Sequence, residues 1–141
     1  MAKTVSIEFK GYYREANKSS VPSQSGIYCV YRCVPTDTGL AINKLLYIGE
    51  SQDVNARLAN HEKLEGWERH LRHNRDEILC YSFGAVPPND RVRCESALIN
   101  RHQPPENIEY TGDFNYQETT IILTGRTKFL DSEFTVKPVN A

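Results

Sequence analysis

The chain has 141 residues, 39% hydrophobic and 25% charged, with a formal net charge of −1. That length suits one domain able to bury most of its apolar surface in a single core, and no apolar run is long enough for a membrane helix or a signal peptide, so a cytoplasmic location is expected. The near-zero charge excludes the strongly basic footprint by which composition alone would announce a nucleic-acid binder.

Val5, Ile7 and Phe9 alternate with polar residues and predict an amphipathic strand, followed by a loop over residues 19–25. Residues 25–34 and 41–48 are rich in Ile, Val, Leu, Tyr and Cys and flank Pro35-Thr36-Asp37-Thr38-Gly39, which reads as two antiparallel strands and their turn. With the turn centred between Asp37 and Thr38, Tyr28 falls opposite Tyr47, and the two phenols share one face. A helix is expected over residues 51–64, with Ser51 as N-cap, Asp53 in the first turn, Val54, Leu58, His61 and Leu64 inward, and Gly66 past its end. Arg57 and His61, four apart, lie along or beside that inward stripe.

Trp67 to Arg75 is the densest basic stretch, and Arg69, Arg72 and Arg75 are either a solvated face or a contact surface for phosphates. Residues 77–86 predict a third strand ending at Gly84 and Pro87-Pro88. A second helix over residues 90–102 carries Val92, Glu95, Leu98 or Ile99, and His102 on one face, so a carboxylate holds an inward position. Beyond Asn107, residues 119–123 and 134–136 predict two more strands, candidates to pair with the N-terminal strand beside the core. Cys29, Cys33, Cys80 and Cys94 lack paired Cys-x-x-Cys spacing and read as buried thiols.

An inward Arg57 and an inward Glu95 on separate helices, next to two tyrosines, need either each other or a ligand, because burying an unpaired charge is costly. Taken singly, each residue also has a structural reading: strand packing for the tyrosines, a salt bridge for Arg57 and Glu95, a satisfied core histidine for His61, a turn for Asn107. The ordered set Gly26-Ile27-Tyr28, Tyr47-Ile48-Gly49, Arg57, His61, Glu95 and Asn107 resembles the GIY-YIG nuclease family over roughly residues 21–110. The connection between the tyrosine strands is longer than in compact members.

The resemblance implies an α/β (α+β) fold, a central three-stranded antiparallel sheet flanked by helices, in a single domain over residues 1–141. The nuclease-like core spans 21–110, with extensions 1–20 and 111–141 packed on it as extra terminal strands. It implies a DNA endonuclease with Glu95 as the one carboxylate ligand of Mg²⁺, or Mn²⁺ in its place, Tyr28 as general base, Tyr47 orienting or contacting phosphate, and Asn107 orienting the site. From the residues themselves, Glu95 is a hard oxygen ligand, Arg57 offers a planar fork for phosphate, and His61 is an alternative proton acceptor, with His70 in reserve. Two other readings stay open: a non-catalytic nucleic-acid-binding module of the same fold, and a nuclease whose affinity comes from a DNA-binding partner subunit.

Overall fold

The computed structural model describes residues 1–139. In chain order its elements are β1 (Lys3–Arg14), β2 (Gly26–Thr36), β3 (Gly39–Ser51), α1 (Val54–Ala59), α2 (Leu64–Glu68), β4 (Ile78–Ala85), α3 (Pro88–His102), β5 (Thr119–Gly125) and β6 (Glu133–Val136). They build one six-stranded sheet in the order β3-β2-β4-β1-β5-β6. The sheet is mixed: β1 runs parallel to β5, and every other neighbouring pair is antiparallel. The expected three-stranded antiparallel sheet is therefore corrected. The trio β3-β2-β4 exists, but β4 offers its second edge to β1, whose Val5, Ile7 and Phe9 alternation lays an apolar face beside it.

β2 is covered on both faces, which is why it reads as a nearly unbroken apolar run. Ile27, Cys29, Tyr31 and Cys33 face a core shared with Cys94, Leu98 and Ile99 of α3. Tyr28 and Val30 face the opposite core, closed by Val54 and Leu58 of α1 and Trp67 of α2. All four cysteines are free and buried. Among the described residues, no helix is long and apolar enough to cross a membrane.

The tyrosine hairpin turns where expected, with Thr36 paired to Gly39, yet Tyr28 does not lie opposite Tyr47. Two bulges, at Asn43 and Leu46, each insert one residue into β3, so Tyr28 pairs with Gly49 and Val30 with Tyr47. Because side chains alternate with period two, a slip of two residues keeps both phenols on one face, now as diagonal neighbours.

The helix expected over residues 51–64 is also corrected. Ser51 is still paired with Gly26 in the sheet, and Asp53 caps instead, its carboxylate accepting from the Ala56 N–H at 3.1 Å. α1 ends at Ala59 because the Lys63 N–H donates to His61 Nδ1 at 3.1 Å, a bond incompatible with continued helix. His61 consequently sits in the loop between α1 and α2, and the stretch from Trp67 to Arg75 begins in the last turn of α2 and continues as a loop with a short turn at His73–Arg75 rather than as one helical face. α3 matches its prediction, starting two residues earlier at Pro88 and ending where Gln103 adopts a left-handed conformation before Pro104-Pro105.

Glu77, immediately before β4, anchors that loop. Its side chain is fully buried, takes hydrogen bonds from the Arg72 N–H and guanidinium and from the Asn43 amide, and is paired with Arg32. Burial alone would raise its pKa, but the Arg72 and Asn43 hydrogen bonds prevail and hold it at about 2. Glu77→Ala should cost about 3–5 kcal/mol, since it leaves two arginines without their buried partner. A carboxylate with a depressed pKa contributes stability above its unfolded value and loses it as pH falls towards 2. Acid unfolding of the wild type and of Glu77→Ala should therefore converge, as measured by circular dichroism between pH 5 and pH 2; a constant gap would refute the anchor.

Candidate active site

β3 is an edge strand, and the segment after α3 folds back to cover it. The Glu106 N–H donates to the Leu46 carbonyl at 3.0 Å. Asn107 brackets Ile48, its amide donating to the Ile48 carbonyl at 2.8 Å and its oxygen accepting from the Ile48 N–H at 2.9 Å. These bonds satisfy edge groups that would otherwise be open. They also form a cavity of about 220 Å³ lined by Tyr28, Tyr47, Glu50, Arg57, Lys63, Glu95, Ile99 and residues 107–110.

Both motif glycines answer a steric demand. A Cβ at Gly49 would collide with Tyr28 Cζ and Oη, so the Tyr28 ring lies in space that only glycine leaves open. A Cβ at Gly26 would strike the Gly84 carbonyl across the strand pair. Tyr28 and Tyr47 stand 6.1 Å apart by ring centroid, and His61 lies edge-on to each at 5.8 Å. Behind them Trp67, fully buried, packs on His61 at 4.4 Å and Tyr47 at 5.3 Å.

Hydrogen bonds select the His61 tautomer. Its Nδ1 accepts from the Lys63 N–H, so Nε2 carries the proton and donates to Tyr28 Oη at 2.7 Å. Burial, aided by the Arg57 charge, holds His61 neutral with its pKa down at about 4. Burial also pushes both phenols up, Tyr47 to about 12 and Tyr28 higher still.

Arg57 and Glu95 do not pair with each other. Arg57 makes a two-pronged bridge to Glu62, both bonds 2.6 Å, in the loop that carries His61 and Lys63. Glu95, 9% exposed, has no ion-pair partner among the described residues. Burial, with Glu50 and Glu109 nearby, raises its pKa to about 8 despite the Glu50 N–H and Arg91. Arg91 is itself bridged to Glu50.

Glu50, Lys63 and Glu109 line the cavity without having been singled out in the sequence, because they fall in polar runs with no periodicity to mark them as inward. Glu50's place directly after Tyr47-Ile48-Gly49 was the available signal. Among the more distant candidates, Arg69, Arg72 and Arg75 are exposed, but Arg72 is bound to Glu77. His70 bridges to Glu106 at 2.8 Å and lies outside the cavity lining, and His102 is held between the Leu98 carbonyl and the Asp131 N–H at the end of α3.

Among the described residues, no group of three or more His, Cys, Asp or Glu is arranged to hold a metal ion. A closed protein cage is therefore not on offer. One buried carboxylate without a cation, facing an oxygen-lined cavity with two further glutamates, does fit a divalent ion bound through one protein ligand and waters, as Mg²⁺ commonly is.

A mixed sheet with an edge-strand cavity of two phenols, an arginine and an unpaired carboxylate has the form of a nuclease-type domain. The family model described as the GIY-YIG catalytic domain matches residues 24–109, and the chain belongs to that family. No curated protein and no solved structure matches it.

The Glu95 environment makes a stability prediction independent of catalysis. A carboxyl group whose pKa is raised on folding contributes fully below its unfolded value near 4.5 and loses that contribution as pH rises through about 8. In chelator-treated buffer, Glu95→Gln should therefore raise the melting temperature at pH 9 and leave it nearly unchanged at pH 4.5. Equal shifts at both pH values would show that Glu95 is not an uncompensated charge.

Proposed function

We propose that the chain is a DNA endonuclease hydrolysing phosphodiester bonds with a divalent cation, Mg²⁺ or Mn²⁺, held by Glu95. The observation that carries this reading is Glu95 itself, a buried carboxylate lacking a counter-charge at the wall of a cavity that also presents Tyr28, Tyr47 and Arg57. A divalent ion there would supply positive charge that favours deprotonated hydroxyls and neutralises phosphoryl oxygens.

In this reading Tyr28 accepts the proton of the attacking water. The His61 Nε2–H already points at Tyr28 Oη, so it is placed to stabilise the phenolate rather than to take the proton. Trp67 holds His61 in that orientation from behind. Tyr47, its ring beside that of Tyr28, orients the water or a phosphoryl oxygen. Asn107 works at one remove, pinning Ile48 between Tyr47 and Gly49. Arg57 binds the scissile phosphate through its planar fork, and the Glu62 carboxylate in that fork occupies the position the phosphate would take. Arg69, Arg72 and Arg75 are proposed contacts to the DNA backbone; Arg69 and Arg75 have no carboxylate partner among the described residues.

A partner-supplied affinity for DNA is the second reading. It is favoured by the cavity's three glutamates and by the ion pairs that occupy Arg57 and Arg91. A protein needing no partner should bind bare duplex with an affinity that falls steeply as salt rises.

With Mg²⁺ and supercoiled plasmid, Glu95→Ala should abolish cleavage while the protein stays folded, and Tyr28→Phe should lower turnover by about a hundredfold to ten-thousandfold. Near-normal turnover of Tyr28→Phe beside an inactive His61→Ala would transfer the base to His61. Arg57→Lys keeps the charge but loses the fork, so turnover should fall more than binding. Glu62→Gln, by freeing Arg57, should tighten substrate binding about two- to fivefold, the scale of one exposed ion pair. Weaker binding by Glu62→Gln would mean that Glu62 supports Arg57 in the complex and does not compete with the phosphate.

A further inference from the structure

A second groove lies on the α3 side of the sheet, between the tip half of the β2–β3 hairpin and the connection from β5 to β6. It has a volume of about 730 Å³ and is lined by Tyr12, Leu40, Ala41, Ile42 and residues 125–129. The connection is held firmly. Tyr12 Oη accepts from the Lys128 N–H at 3.1 Å, Tyr31 Oη donates to the Lys128 carbonyl at 3.0 Å, and the Arg126 N–H donates to the Phe9 carbonyl at 2.9 Å. On this support Phe129 adopts φ +67°, a region bulky residues seldom enter, and the residue is left 49% exposed. Lys128 Nζ sits 5.7 Å from that ring.

Charge is distributed unevenly around the groove. No acidic residue lines it, and neither Arg126 nor Lys128 has a carboxylate within ion-pairing distance among the described residues. Asp131, two positions beyond Phe129, is taken by Arg101. The adjoining cleft is lined by both Lys10 and Glu8, beside Arg126. In a chain of net charge −1, this is a local cationic surface set around an exposed aromatic ring and an apolar floor.

We propose that this groove binds an unpaired DNA strand, bases stacking on Phe129 and Tyr12 and phosphates meeting Arg126 and Lys128. An exposed ring flanked by cations is the platform that single strands use, because each unpaired base offers a free face, whereas the faces of paired bases are already covered. The groove and the cavity share strand β3: Ile42 borders one and Tyr47 the other, and their partners on β2, Cys33 and Val30, are three residues apart, about 10 Å at ~3.3 Å per residue. That separation is about three phosphate steps of one duplex strand, measured along the helix axis. The inference rests on the endonuclease reading and narrows its substrate to duplex DNA carrying a single-stranded extension or branch near the cut. The aromatic and basic groups lie outside residues 24–109, in the chain's own C-terminal part and in β1.

The test uses the full-length chain carrying Glu95→Gln, so that binding is measured without cutting. Fluorescence anisotropy would compare a blunt duplex, the same duplex with a ten-nucleotide thymidine extension, and the extension alone, from 50 to 200 mM salt. The extension should tighten binding, and Phe129→Ala should remove about tenfold of that gain, the scale of one lost base stack. Arg126→Gln and Lys128→Gln should each reduce the salt slope for the single strand by up to about 0.7. Equal affinity for blunt and extended duplexes would overturn the proposal. So would Phe129→Ala and Lys128→Gln that both fold, by circular dichroism, and keep the full preference, or poly-glutamate that competes with the extension as well as oligothymidine does. Wild-type cleavage of both duplexes without preference sinks this inference alone. An intact extension preference with no Mg²⁺-dependent cleavage sinks the endonuclease reading and leaves the strand-binding site standing.

Discussion

The close approach of the Tyr28 ring to the backbone of Gly49 is the contact on which the arrangement of the cavity depends. A side chain at residue 49 would drive the ring away, and with it the hydroxyl that receives the His61 Nε2–H. His61 can serve there only because the chain leaves helical geometry after Ala59, and Trp67 fills the space behind the imidazole. Two glycines, a broken helix and one buried indole thus position two phenols and a neutral histidine around a cavity at the sheet's edge. Asn107 completes the frame by giving the edge strand hydrogen bonds it would otherwise find in water or in another chain.

Two buried glutamates show how environment separates a structural carboxylate from a candidate functional one. Glu77 is enclosed by Arg32, Arg72 and Asn43, and its pKa is held at about 2. Glu95 is buried without a cation and beside other carboxylates, and its pKa rises to about 8. Satisfied buried charges hold a fold together, whereas an unsatisfied one costs stability unless a ligand completes it. The cations near the cavity are largely committed elsewhere, Arg57 to Glu62 and Arg91 to Glu50. Loop 60–63 joins these effects, because consecutive residues meet Tyr28 through His61, Arg57 through Glu62, and the cavity through Lys63.

The strands outside the family match do more than shield the core. β1 pairs with β4 on one side and β5 on the other, so residues from both ends of the described chain enter the same sheet as the tyrosine strands. Their connection folds back over Tyr12 and Tyr31 and places cations and an exposed ring beside the hairpin. The edge strand β3 borders this groove with Ile42 and the cavity with Tyr47.

Much of this was legible in the sequence. Alternation marked β1, apolar and β-branched runs bounded by turn residues marked the other five strands, and helical spacing marked α3; the hairpin turn was centred correctly between Asp37 and Thr38, and the family motif named Tyr28, Tyr47, Arg57, Glu95 and Asn107, which line one cavity. These features are local, since period-two alternation, turn residues and motif order are all written in neighbouring positions. What the sequence could not reveal depends on contacts between distant residues. The bulges at Asn43 and Leu46 that shifted Tyr28 onto Gly49, the end of α1 at Ala59 and the choice of Glu62 as partner for Arg57 follow from sheet pairing and from bonds to His61. Whether β4 would accept β1 on its free edge, turning three strands into six, was likewise a matter of which apolar faces met in space. Local sequence determined the strands, α3 and the motif residues of the cavity; tertiary packing decided where α1 ends, the strand register, the further cavity residues, their charge partners and the protonation each one keeps, because burial and neighbours, not residue type, set those energies.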